Sequence, residues 1–266
     1  MTNYLHKVLP PQYSHVNKVY CLLAATVFCA LPLCSTEAAA ENILKYDGTT
    51  NIHGNAKTWA AKNEYDGIDI RVTGVDGGYY TDTTEALVLN NQTLNVKGKG
   101  KFVSIINTAQ NKQIDNNGGI YAKGGSTVNF TDVDSIYIAA IAGKEGGNDS
   151  TVISAKDPGR DFKGYTNIVN ISGNTVQLIG SIDVMHSLGS VFFNRNARHT
   201  VNAALSGSDS FWYGSAIGET DERTTVNLSL ADGATWIFNA GKSTLNAGGI
   251  IRNLKLDKGV VLFADA

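Results

Sequence analysis

Thr224-Thr225-Val226-Asn227-Leu228-Ser229-Leu230, followed at once by Ala231-Asp232-Gly233-Ala234-Thr235-Trp236-Ile237-Phe238, is the stretch that decides the fold. Alternation with period two places Val226, Leu228 and Leu230 on one face of a strand and Asn227 and Ser229 on the other. Asp232-Gly233 supplies a tight corner, after which Trp236 and Phe238 resume on a common face. The core of this unit recurs upstream as Val128-Asn129-Phe130, Val169-Asn170-Ile171 and Val201-Asn202-Ala203, and more loosely as Leu94-Asn95-Val96. Successive asparagines are 34, 41, 32 and 25 residues apart. A strand-corner-strand unit returning irregularly at this period predicts a β-solenoid, in which each turn buries its apolar face by stacking on its neighbours.

An antiparallel sandwich also uses short strands joined by Gly and Asn turns. The solenoid is favoured because the unit keeps its order of strand, corner and strand. Pro158 is the one proline beyond residue 40, and the asparagine returns at one place in the unit, where stacking would align the amides into a ladder. Equivalent pairs are expected around the other corners. Val169 and Ile171 precede Gly173-Asn174 and then Val176 and Leu178; Leu94 and Val96 precede Gly98, Gly100 and then Phe102. Strands are expected to be short and corners frequent. At about 25 residues per turn and about 4.8 Å between strands, the stack would hold about nine turns over roughly 40 Å.

The first 40 residues are a different kind of sequence. They hold Cys21, Cys29 and Cys34 and three of the four prolines, but none of the 28 glycines. A polar stretch with Lys7 and Lys18, an apolar run from Val19 to Leu33 and the small residues Ala38-Ala39-Ala40 read as a secretory signal peptide cleaved after Ala40. The run of about 15 apolar residues falls short of the roughly 20 that span a bilayer. Leu33 before Cys34 and Phe28 before Cys29 exclude a lipoprotein signal. Beyond Ala40 the chain has no cysteine, so an exported product draws its stability from a continuous core and not from disulfides. The formal charge of the whole chain is −2 and no basic cluster exists, which argues against a nucleic-acid partner. Localisation is expected to be exported: cell surface, outer membrane or extracellular, or periplasmic if the chain is truncated.

Residues 41–92, with Trp59-Ala60-Ala61, are expected to form an N-terminal cap and the first turns, and 93–266 the repeats. At the other end Gly259-Val260-Val261-Leu262-Phe263 reads as an ordinary inner strand, and the sequence there reads as cut short, without a cap. The segment 143–164 breaks the pattern. It is polar and coincides with the longest interval between asparagines. It is expected to project as a loop, with Lys144, Glu145, Asp149, Lys156, Asp157, Arg160 and Asp161 as its candidate binding residues.

The run Gly233-Ala234-Thr235-Trp236, then Ser243-Thr244-Leu245, then Leu254-Lys255-Leu256-Asp257-Lys258-Gly259, then Val261 and Phe263, resembles the passenger domains of autotransporters, the type V secreted proteins of diderm bacteria. Asn117-Gly118-Gly119-Ile120-Tyr121-Ala122 followed by Gly124-Gly125-Ser126-Thr127-Val128 is similar to the glycine-rich repeats of the same group. The resemblance implies a right-handed parallel β-helix of the pectin-lyase-like kind and a surface or secreted passenger, acting as adhesin or stalk. The family's translocating barrel has no counterpart in this sequence, so the resemblance implies a passenger separated from its barrel or served by one in trans. Secretion machinery, cell-surface ligands and matrix glycans are the expected partners. No cofactor is expected.

Catalytic patterns are thin. Ser206-Gly207-Ser208-Asp209-Ser210 lacks the order of a serine-protease nucleophile segment and reads as a turn. His53, His186 and His199 lie far apart and have no partner at metal-ligand spacing. The enzymatic rival is a polysaccharide lyase or hydrolase, which would stack carboxylates on one face: Asp132 and Asp134, with Asp157, Arg160 and Asp161, are its candidates. Calcium would need these acids or Asp66, Asp69 and Asp76, but the glycine-aspartate nonapeptide of calcium-binding β-rolls is absent. The expectation is a non-enzymatic protein without a metal site.

Overall fold

A computed structural model describes residues 42–50, 63–74, 84–109, 117–141, 150–156, 164–184, 196–218, 222–239 and 251–264, all within the unit Glu41–Ala266. These residues form seventeen strands and no helix. The strands fall into three parallel stacks. The first comprises β1 (Ile43–Thr50), β2 (Gly67–Gly74), β5 (Phe102–Ala109), the second halves of β7 (Thr127–Ile141) and β9 (Thr166–Ile179), β12 (Phe211–Gly214), β15 (Thr235–Phe238) and β17 (Val260–Phe263). The second runs from β4 (Thr93–Lys97) through the first halves of β7 and β9 to β11 (Arg198–Ser206), β14 (Thr224–Ala231) and β16 (Asn253–Asp257). The third is β3 (Thr84–Asn90), β6 (Asn117–Lys123), β8 (Thr151–Ala155), β10 (Ser181–Asp183) and β13 (Ala216–Ile217).

From β4 to β13 each turn visits the second stack, then the first, then the third, and pairs with the turn before it. This all-β arrangement of stacked parallel sheets is consistent with the parallel β-helix expected from the repeat. Register follows the sequence unit: Val128, Val169, Val201 and Val226 form one column of the second stack, and Phe130, Ile171, Ala203 and Leu228 another. Both columns are buried, while the residues between them face outward. A one-residue slip would turn every one of these side chains to the opposite face, so the alternation fixes the register. Burying each Val, Leu or Ile stabilises the stack by about 1.5–3 kcal/mol.

The first stack continues the core. Ile70, Ile105, Ile138, Leu178, Trp212, Trp236 and Val261 occupy one interior column. Where the aliphatic run gives way to tryptophan the rings stack, with Trp212 and Trp236 centroids 5.1 Å apart and their planes 9° from parallel. Each indole N–H reaches a corner carbonyl one turn back. Trp212 Nε1 donates to Gly180 O (2.9 Å) and Trp236 Nε1 to Gly214 O (3.1 Å). That satisfies the one polar group each ring would otherwise bury unpaired.

Three expectations need correction. Strands are not uniformly short, because β7 and β9 run 15 and 14 residues and pass through the corner without breaking. Phe102 is not a core residue like Val96. The strand enters one residue out of phase, Val103 and Ile105 point inward, and the half-buried Phe102 ring lies across Gly67, where a Cβ would come within 2.8 Å of it. The segment 143–164 is not a loop throughout, since Thr151–Ala155 forms β8, an inner strand of the third stack. At the other end, the Asn42 backbone N–H just before β1 donates to Asp66 Oδ2 (3.2 Å) just before β2, and Lys101 just before β5 lies 3.2 Å from Asp66 Oδ1, so this carboxylate links the starts of three neighbouring strands. These two contacts hold the Asp66 carboxyl below the usual carboxylate range, the backbone bond being the larger cause. Trp59, Ala60 and Ala61 lie outside the described residues.

Candidate functional site

The outer face of the second stack carries the most regular polar array among the described residues. In-register parallel pairing repeats any one position about every 4.8 Å, a spacing that suits amide-to-amide hydrogen bonds. The asparagine ladder forms. Asn129 Nδ2 donates to Asn95 Oδ1 (2.9 Å), Asn170 to Asn129 (2.7 Å), Asn202 to Asn170 (2.7 Å) and Asn227 to Asn202 (2.7 Å). At its start Asn95 Nδ2 donates to Asn63 O (3.0 Å), and at its far end a sixth member, Asn253, donates to Asn227 Oδ1 (2.7 Å). Sequence reading missed Asn253 because Arg252 stands where the other copies have Val or Leu; its distance of 26 residues from Asn227 was the available signal. Every amide donates toward the N-terminal end, so the ladder has a direction.

Asn170→Ala removes two of these bonds at mid-ladder. At about 0.5–1.5 kcal/mol per bond, the loss is expected to be about 1–3 kcal/mol, read as a lower midpoint in urea. Asn95→Ala, at the ladder's start, should cost less, because the bond it breaks on one side goes to an exposed backbone carbonyl.

Beside the ladder the next outward positions are small: Ser172, Ala204 and Ser229 share a row. They floor a shallow groove between the ridge of Asn170, Asn202 and Asn227 and the corner residues Asp132, Asn174 and Ser206. Lysines mark its two ends, Lys99 at one and Lys255 at the other. The groove therefore offers amides and hydroxyls along its length, with cationic groups only at the ends.

The acids along this corner are engaged in building it. Asp134 Oδ2 accepts from the Gly100 N–H (3.0 Å) and Oδ1 from Asn174 Nδ2 (3.3 Å). Asp132 takes φ 58° and Asp232 φ 51°, the left-handed conformation that Asp tolerates better than most residues. Ser206 Oγ donates to Asp232 Oδ2 (3.1 Å). Asp132 and Asp134 thus stand on either side of the buried Val133 as corner residues. Ser210, in the turn expected at 206–210, is buried, accepts from the Val176 N–H (3.0 Å) and donates to Ser206 O (2.6 Å).

Of the seven candidate binding residues, Lys144, Glu145, Asp149, Asp157, Arg160 and Asp161 lie outside the described residues. Lys156 follows β8 and pairs with the buried Asp183 of β10, so its charge is committed to a neighbouring strand. His199 is also buried, in register between Asn167 and Thr224, with Nδ1 3.2 Å from Asn167 Nδ2. His53, His186, Asp76 and the expected cleavage position Ala40 are outside the described residues, whereas Asp69 lies 3.6 Å from Arg71. Among the described residues no group of three or more His, Cys, Asp or Glu side chains is placed to hold a metal ion. Compared with protein-family models, curated proteins and solved structures, the chain finds no match.

Proposed function

We propose that the protein is an exported passenger of the autotransporter kind, displayed at the cell surface or released, and that it acts as an adhesin or a structural stalk. The observation that carries this reading is the unbroken amide ladder over a continuous apolar core, which suits a rigid spacer. The signal-like first 40 residues and the family-like run from Gly233 to Phe263 support export. The ligand of an adhesin would be a cell-surface or matrix glycan or protein, met by the polar segments on either side of β8.

Deleting 143–164 would remove a core strand along with those segments, so the test replaces side chains instead. Lys144, Glu145, Asp149, Asp157, Arg160 and Asp161 are changed together to serine in a surface-displayed chain, leaving Lys156 with Asp183. Binding to cells and immobilised matrix is expected to fall at least about tenfold. Unchanged binding would remove these segments as the adhesive site, and a displayed wild-type chain that binds nothing would remove adhesion altogether. Cleavage of an acidic polysaccharide by the purified chain, lost on Asp132→Ala, would overturn the reading in favour of an enzyme.

A further inference from the structure

On the outside of the first stack, one column alternates hydrogen-bonding and aromatic side chains. Strand register aligns Ser104, Tyr137, Gln177, Phe211 and Thr235 over five successive turns. Tyr137 stands between the buried Ile136 and Ile138, and Phe211 precedes the buried Trp212, so both rings lie on the outer face, where they are half-buried. Gln177 Nε2 donates to Asp209 O (3.0 Å), which leaves Oε1 to accept. On one side of this column Ile106, Ala139, Ile179, Tyr213 and Ile237 form an apolar row; on the other, Ser135 and Thr175 are polar.

Charge and period select a ligand for this face. β1 and β2 carry Lys45, Asp47, Asp69 and Arg71 in register on the outside. β5, the second halves of β7 and β9, β12 and β15 contain no charged residue, so an uncharged partner suits them better than an anionic one. With turns about 4.8 Å apart, Tyr137 and Phe211 stand about 10 Å apart and the column spans about 20 Å. In a β-1,4-linked glycan each pyranose is turned over relative to the last, and one unit advances by nearly the length of one turn of the stack. Such a chain repeats every second unit, as the column repeats every second turn. The C–H groups on one face of a pyranose then meet the negative face of an aromatic ring, and the next unit brings its hydroxyls to Gln177. An extended peptide repeats after about 7 Å and falls out of step with the rings.

We propose that this face is a binding site for a neutral, extended β-1,4-linked glycan lying along the stack, with Tyr137 and Phe211 as stacking platforms and Gln177 as the hydrogen-bonding group between them. It rests on the adhesin reading for its purpose, but the surface is separate from the segments beside β8.

Calorimetric titration of the purified full chain with cello- and chito-oligosaccharides of two to six units tests this. Binding is expected to tighten from the disaccharide to the tetrasaccharide and then to level off, because the column holds about four units. Tyr137→Ala and Phe211→Ala should each weaken hexasaccharide binding at least about fivefold, whereas Tyr137→Phe and Phe211→Tyr, which keep the rings, should retain it. Gln177→Ala should weaken it about threefold. Urea midpoints show which variants are folded; if alanine at either ring unfolds the chain, Gln177→Ala decides, and wild-type affinity there would overturn the proposal. No binding of either hexasaccharide, equal binding of polygalacturonate, or folded alanine variants that bind as the wild type does would also overturn it. So would Tyr137 and Phe211 rings shielded from hydroxyl-radical labelling in the free chain, since another segment or a second copy would then occupy the face. Sugar binding without cell adhesion would leave this site standing and remove the adhesin reading; adhesion without sugar binding would do the reverse.

Discussion

Trp212→Ala is expected to be the most damaging truncation of the core, lowering stability by about 3–5 kcal/mol. Trp212 is fully buried, stacks on Trp236 one turn ahead and donates its indole N–H to Gly180 O one turn back. Alanine leaves a cavity that the flanking strands cannot close, since their positions are fixed by pairing on both sides. It also strands the Gly180 carbonyl. Trp212→Phe, which keeps most of the ring but not the donor, should recover more than half of the loss. Chemical denaturation followed by far-ultraviolet circular dichroism measures both variants, and equal stability of Trp212→Ala and wild type would show that the stack does not depend on the aromatic column.

Gly214→Ala is the second large effect, and it acts through a single methyl group. A Cβ at Gly214 would lie 2.1 Å from Gly180 O and 3.0 Å from Trp212 Nε1. Backbone oxygen cannot swing aside as a side-chain tip can, so the turns must separate, and the Trp212 to Gly180 hydrogen bond lengthens with them. We expect a loss of about 3 kcal/mol or more, at the upper end of what overpacking costs. Gly98→Ala is the control. A Cβ there meets nothing within 4 Å, although φ 98° strains any side chain, so its cost should be clearly smaller. If the two substitutions destabilised equally, backbone strain and not the close approach of turns would govern these corners.

Sequence alternation revealed the second stack almost completely, because its strands have one wet and one dry face: β14 alternates buried and half-buried residues from Thr224 to Ala231. The third stack was illegible for the opposite reason. β10 is buried at all three positions and β8 at four of five, so no period-two signal distinguishes inward from outward. The same blindness turned β8 into part of a loop. Lys156 looked available as a ligand because its partner Asp183 lies on another strand, 27 residues away in sequence. The phase error at Phe102 has another origin. Gly98-Lys99-Gly100-Lys101 carries no apolar marker from which to count, so where alternation restarts cannot be read from the corner itself. Corner carboxylates such as Asp134 are equally opaque, since a catalytic acid and a turn-building one have the same sequence until their hydrogen bonds are seen.

The backbone bonds that join one turn to the next run along the stack, perpendicular to the strands. A pull applied to the two ends therefore meets them singly, as a zipper is opened, and not all together as in a strand pair loaded in shear. Neighbouring asparagines along the ladder are 25 to 41 residues apart in sequence, so a turn of about 30 residues, once peeled away, pays out roughly 100 Å of slack. Used as a tether, such a rod would give way stepwise at low force and lengthen severalfold before its last turn parts.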